Sequence, residues 1–370
     1  MGSLVSWANS VFSRGDAGIS VPAMDGVLKP NMALDGAEQV SRLPEIDDLA
    51  FVEGSIVASA GNALHVVPAN SGRKKAGFVA SFESEIGFVT ALGDGGLAVG
   101  VLGQGVQTGV PGGFRKIGLA PDVAGCMTAA AALPDGRLAI CIGSRSNSAA
   151  DWKRDLMEHG QSGQVLLLDV RSGKQQLVAD GLAYPYGIAV QTDGRLIVSE
   201  SWRHRVIALD TRGSRPPEVL LDDLPAYPAR LTPASDGGFW LALFAPRRQL
   251  FEFVLREDGF RQDMMANVPL GEWVGPSLAA WSRYDHPLQQ GSVRQMGLLK
   301  PWAPSSSYGL VVKCDSAMRP VKSWHSRADG RMHGVTAVCE AGGNVFAAAK
   351  GPGILLSLSS PRLKKGGKGK

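Results

Sequence analysis

Long apolar runs are missing from this chain. No stretch reaches the roughly 18 consecutive apolar residues of a membrane span, and the opening MGSLVSWANSVFSRGD has no charged segment followed by an apolar core. The sequence therefore reads as a cytoplasmic protein without a membrane span. Cysteine is scarce: Cys126, Cys141, Cys314 and Cys339 lie far apart with no CxxC spacing, which argues against a zinc site or a disulfide framework. Charge of one sign is scarce as well. The 38 Lys+Arg and 34 Asp+Glu leave +4, partly gathered in the Lys-rich tail 364–370, too little for the basic stripe of a nucleic-acid partner. No GKS/T and no strand-GxGxxG-helix context supplies a phosphate loop.

What the chain has is glycine, 47 in 370 residues, and it recurs in one pattern: an acidic residue or turn former, Gly, then an alternating apolar run. Glu53-Gly54 precedes SIVASAG, Asp94-Gly95 precedes GLAVGVLG, and Asp135-Gly136 precedes RLAICIGS. Asp193-Gly194 precedes RLIVSES, Asp236-Gly237 precedes GFWLALF, and Gly342-Gly343 precedes NVFAAAKG. Such dipeptides allow the positive φ of a tight hairpin, and the apolar run reads as a strand. A further strand is expected at ALHVV (63–67), QVLLLDV (164–170), RVIALD (205–210), QLFEFVL (249–255) and GILLSLS (353–359).

The turn glycines recur at about 41 to 43 residues, a propeller-blade period, except across two longer gaps. The first, 144–163, holds SAADWKRDLMEHG, where Trp152, Leu156 and Met157 share a helical side and Gly160 ends it. The second, 262–308, holds GEWVGPSLAAWSRYDHPLQQ and PWAPSSSYG, with no further turn-plus-strand copy before Tyr308. The fold class expected is all-β: a six-bladed β-propeller over 41–361 with two partly helical insertions. Residues 1–40 form an N-terminal extension and 362–370 a basic tail. The extension reads as a strand closing the ring, a partner-binding arm or a loose tail.

The segments DWKRDLMEHGQSGQVLLLDVRSGKQQLVADGLAYPYGIAVQTDGRLIVSESWRHRVIALD (151–210) and DLPAYPARLTPASDGGFWLAL (223–243) resemble the strictosidine synthase-like proteins. These belong with the gluconolactonase and SMP-30 type six-bladed propellers. The resemblance runs from about Leu43 to Ser360, with YGLVVKCDSAMRPVKSWH (308–325) similar to the family's approach to its last blade. It implies a site at the mouth of the central channel. In metal-dependent relatives an acid in blade one, an Asn in blade four and an Asp-Asn pair in blade five hold a calcium-like cation, which polarises a lactone or ester carbonyl.

Here blade one offers Glu45 or Asp47, blade four puts Tyr186 where the Asn would be, and blade five reads Tyr227-Pro228-Ala229-Arg230. A guanidinium cannot ligate a cation, so no metal ligand is assigned, and a divalent cation such as Ca enters only if the altered site still binds one. The strictosidine-forming members use a blade-six Glu; counting back from Gly343, that position is Thr336, which cannot transfer protons as a carboxylate does.

The resemblance thus implies a lactone or ester hydrolase acting on a small-molecule ligand, with an anionic one among the options. Its catalytic candidates are His333, Tyr186 and Arg230, and its substrate-binding candidates are Asp47, Glu45, Trp152 and Thr336. The alternative is a non-catalytic ligand-binding or protein-interaction propeller; an amine–aldehyde condensing enzyme is a third reading. The residues leave their roles open. Arg230 either binds an anionic group or pairs with Asp47 or Glu45 and plugs the channel. Tyr186 orients a carbonyl or fills space, and His333 is a general base or a turn cap. Trp152, Trp273, Trp281 and Trp302 form an aromatic lid or pack the inserts down. Glu83 and Glu85 reach the mouth or stay solvated.

Overall fold

A computed structural model describes residues 21–69, 76–212, 215–279 and 306–358, with the backbone of 294–295 and 298–299. Among them, six four-stranded antiparallel sheets form the blades of a propeller. The inner strands are Ile46–Val52, Ile86–Ala91, Met127–Ala132, Pro185–Val190, Ala226–Pro233 and Val335–Ala341 in blades one to six, and each packs against the next around the ring. The six turn glycines join each inner strand to the second strand. All have positive φ, from 75° at Gly343 to 85° at Gly136 and Gly194, where a Cβ is strained. The aspartate ahead of the glycine closes the turn with its side chain. Asp94, Asp135, Asp193 and Asp236 each accept, through Oδ1, a backbone N–H two residues on, at 3.0 Å, and this bond fixes the hairpin.

Alternation along the strands puts apolar faces between neighbouring blades. Ala129, Cys141, Val165 and Leu167 of blade three pack with Ile188, Leu196, Val198 and Ile207 of blade four. The ring is closed by the N-terminal side of the chain: Glu38–Arg42 pairs antiparallel with Ile354–Ser357 as the outer strand of blade six. Ahead of it the chain crosses the outer strand of blade five, where Asn31 Nδ2 donates to Ser323 O (3.2 Å) and its Oδ1 accepts from His325 N (3.0 Å). Residues 1–20 and the basic tail lie outside the described residues, as do Trp281 and Trp302. No described helix is long and apolar enough to cross a membrane.

Three expectations are corrected. QLFEFVL is a helix, Gln249–Arg256, not a strand: Phe251, Val254 and Leu255 are buried at helical spacing while Phe253 is exposed. The second insertion accordingly begins just after Pro246, the end of the second strand of blade five, and continues through a second helix, Asp258–Asn267. The 308–325 segment belongs to blade five and not to a lead-in of the last blade: Gly309–Cys314 and Pro320–Ser326 are the third and fourth strands of blade five.

Candidate functional site

Every inner strand breaks register near its first residues: between Ile46 and Leu49, Ile86 and Phe88, Met127 and Ala129, Pro185 and Gly187, Pro228 and Leu231, and Val335 and Ala337. A bulge leaves a residue without a ladder partner and re-aims it. The residues so released include Asp47, Gly87, Thr128, Tyr186, Arg230 and Thr336, one from each blade, and the site is built on them.

Arg230 is the centre, 4% exposed. Its Nε donates to Thr128 O (2.9 Å), Nη1 to Asp47 O (3.0 Å), and Nη2 to both Gly87 O and Asp47 Oδ2 (2.7 Å each). Its Cζ lies 5.2 Å from the Tyr186 ring centroid, in cation–π range. Four of five N–H groups are thus spent on protein oxygens. Asp47 Oδ1 accepts from Lys350 Nζ at 2.9 Å, and its carbonyl also accepts from Thr336 Oγ1 at 2.6 Å. Burial pushes the Asp47 carboxyl up, but Arg230 and then Lys350 outweigh it and hold the group well below the usual carboxylate range. Burial dominates at the neighbouring Asp48, whose carboxyl rises to about 6 although it faces Arg230 at 3.4 Å and accepts the Leu49 and Val89 N–H groups.

The close approach of blades four and five requires glycine at 187: a Cβ there would lie 2.6 Å from Arg230 Cα and 2.7 Å from Ala229 O.

Arg230 separates two cavities. The lower one, about 160 Å³, holds Asp48 and Cys339 between apolar strand faces. The upper one, about 190 Å³, has Asp47, Arg230 and Lys350 at its polar end and one wall of five aromatic side chains, Trp152, Tyr184, Tyr186, Trp202 and Phe244. The rings touch one another: Tyr184 stacks on Trp202 at 4.4 Å, and Trp152 meets Phe244 edge-on at 5.6 Å. Trp202 is pinned by Nε1–H donation to Asp155 Oδ1 (2.8 Å), whose other oxygen accepts from Asn147 Nδ2 (3.1 Å). Asp155 belongs to the short helix Trp152–Met157 of the first insertion, which buries Leu156 and Met157. That insertion therefore supplies both a wall residue and the anchor of another. Burial raises the Tyr184 and Tyr186 hydroxyls well above their ordinary value, so both stay protonated.

Of the sequence candidates, Asp47, Tyr186, Arg230 and Trp152 line this cavity and Thr336 supports its floor. Glu45 is exposed and outside the lining. His333 is fully buried, its Nδ1 2.7 Å from Ser307 Oγ and its Nε2 2.7 Å from Arg327 O, so neither nitrogen is offered to the cavity, and burial lowers its pKa. Trp273 is buried and donates to Val268 O within the second insertion. Glu85 reaches the upper cavity, whereas Glu83 does not line it. Sequence reasoning passes over Gly87, Thr128 and Lys350. The first two sit eight residues before their turn glycines, the offset that also marks Tyr186, so the repeat contains the signal. Lys350 directly follows the second strand of blade six, much as Trp202 closely follows that of blade four.

A calcium-like ion does not fit the hub. The oxygens that could receive one, Asp47 Oδ2, Asp47 O, Gly87 O and Thr128 O, converge on the guanidinium instead, and its fixed positive charge repels a second cation. Among the described residues no cluster of three His, Cys, Asp or Glu is placed to hold a metal ion.

No family model matches the chain. A 110-residue segment is 26% identical to the adipocyte plasma membrane-associated protein of Danio rerio; it covers 28% of this chain and 26% of that protein, about a quarter of the relative's length. Among solved structures, the chain is similar to a regucalcin, a calcium-binding protein from Agrobacterium tumefaciens (TM-score 0.55, 13% identity, 87% of this chain and 93% of that one). It is similar also to a gluconolactonase from Xanthomonas campestris (0.53, 11%, 87% of each) and to a luciferin-regenerating enzyme (0.54, 13%, 84% and 86%). The resemblance read from the sequence holds at the level of fold: the chain is a six-bladed propeller, and it shares that fold with the regucalcin and gluconolactonase structures.

Proposed function

We propose that the chain binds a small organic molecule in the cavity above Arg230, with the aromatic wall taking the apolar body of the ligand and the Asp47–Lys350 end taking its polar group. The observation that carries this reading is the saturation of Arg230. A cation tied to four protein oxygens is a floor for the cavity, not a mobile electrophile. The arrangement favours binding over the lactone or ester hydrolysis implied by the sequence resemblance. Hydrolysis needs a base or an activated water near the ligand; Asp47 is held ionised by two cations, Glu85 is an exposed side chain on the lining that no hydrogen bond among the described residues orients, and His333 is sealed behind Ser307 and Arg327 O. Concave, largely apolar lining with a few convergent polar groups is the usual form of a ligand site.

The test combines a thermal-shift screen of single-ring organic molecules with lactonase and arylesterase assays run with and without chelator. The expected result is stabilisation by a subset of ligands, abolished by Trp152→Ala, with no chelator-sensitive turnover. A stoichiometric divalent ion together with turnover that a chelator removes would replace this reading by the metal-dependent hydrolase.

A further inference from the structure

Resting on the reading of the upper cavity as a ligand site, we propose that its ligand is a single-ring aromatic monocarboxylate whose carboxylate is held by Lys350. Size sets the first limit. A cavity of about 150 Å³ holds one benzene ring, so about 190 Å³ admits one ring with one small substituent. The wall sets the second. Trp152, Trp202 and Phe244 present contiguous ring surface to the cavity, and the Asp155 bond keeps the Trp202 indole from turning. A flat ring gains from offset or edge contacts with such a surface, and the fixed geometry is organised before the ligand arrives.

Charge sets the third. Arg230 is met by a carboxylate on each side, Asp47 at 2.7 Å and, from the lower cavity, Asp48 at 3.4 Å, so the cation the upper cavity offers a ligand is Lys350, which Asp47 engages through one oxygen. Of the two cations, Arg230 has one N–H left. The Lys350 side chain is about one-third exposed, its ammonium makes one bond among the described residues, to Asp47 Oδ1, and an ammonium has three donors. Its remaining N–H groups are the strongest unspent donors facing the cavity, and they suit a carboxylate. Among the described residues the one carboxylate on the lining besides Asp47 is Glu85, which is exposed; water screens its attraction for a cationic ligand.

Benzoate, benzyl alcohol and benzylammonium share one ring and differ in charge, and calorimetric titration of the folded protein with each separates the alternatives. Benzoate is expected to bind at least about tenfold more tightly than benzyl alcohol. Lys350→Met is expected to remove that advantage, and a native circular dichroism spectrum with a cooperative melt reports that the variant is folded. Equal binding of benzoate and benzyl alcohol to the unmodified protein overturns the carboxylate assignment without touching the ligand-site reading. So does a preference for benzylammonium that Glu85→Gln removes. Failure of all three probes to bind, with no response to Trp152→Ala, overturns the ligand-site reading itself.

Discussion

Arg230 Nη2 and Asp47 Oδ2 meet at 2.7 Å across 183 residues of sequence, one on the inner strand of blade five and the other on that of blade one. Both are buried, 4% and 8% exposed, and the guanidinium also ties down carbonyls of blades two and three. One side chain thus joins four of the six blades at the axis. Taking two charges from water is costly, so the intact pair adds little net stability, but removing one partner strands the other. Arg230→Leu is expected to lower the unfolding free energy by about 3–5 kcal/mol. Asp47→Asn in the same chain should recover part of that loss. Urea unfolding of the single and double variants measures both; an additive double variant would mean the two residues do not interact.

Gly187 controls the same contact from the backbone. The atoms that a Cβ at 187 would strike, Arg230 Cα and Ala229 O, are main chain and cannot swing aside. Gly187→Ala is expected to cost about 1–3 kcal/mol and to loosen the hub. Gly194→Ala serves as the comparison: its φ of 85° strains an alanine, but no atom lies within 4 Å of the new Cβ, so it should lower stability without altering ligand binding. The contrast is read by paired melting and binding measurements. If Gly187→Ala leaves ligand affinity at the parent level, the contact does not shape the cavity.

Asp155 holds the aromatic wall in place. It is 1% exposed and accepts from the Trp202 indole and the Asn147 amide. Asp155→Ala strands the Trp202 N–H, at a cost of about 1–3 kcal/mol if it stays buried, while the Asn147 amide keeps its bond to Glu158 Oε2 at 2.9 Å. The expected signs are a lower melting temperature, a shift in tryptophan emission and weaker ligand binding. Unchanged emission and affinity would show that packing alone positions Trp202.

The repeat is legible because it is local. Each Asp-Gly hairpin carries its own turn chemistry within a few residues, and the period of the turn glycines follows from blade size. Asp47, Tyr186 and Arg230 can be found by counting from those turns. The run 249–255 reads as a strand in the sequence because a short apolar segment fits a strand and a helix equally well until its burial is known. His333 looks available in the sequence because its partners, Ser307 and the Arg327 carbonyl, flank strands of blade five that only tertiary packing brings beside blade six. Lys350 is hidden for a related reason. Its direction is set by Asp47, 303 residues earlier, and no pattern within one blade encodes a contact between the first and the last.

Asp48 gives the hub a pH dependence whose sign follows from its environment. Its carboxyl is raised in the folded protein from an ordinary 3.8 to about 6, first by burial and in smaller part by the Asp47 charge. Between these values the folded chain binds a proton that the unfolded chain releases, so folding is favoured by acid across that window. The contribution is complete below about 3.8 and disappears as the pH rises through about 6. Asp47 acts in the opposite sense: its carboxyl is depressed, and the stability it adds is lost only as the pH falls below the carboxylate range. Asp48→Asn should therefore flatten the decline in stability between about pH 4 and 6 and raise stability at about pH 7, where the parent must keep a buried carboxylate ionised. Urea midpoints at about pH 4, 5, 6 and 7 for both proteins test this. A parent stability that rises steadily over that range, unchanged by the substitution, would mean that Arg230 and the two backbone N–H groups hold Asp48 ionised throughout.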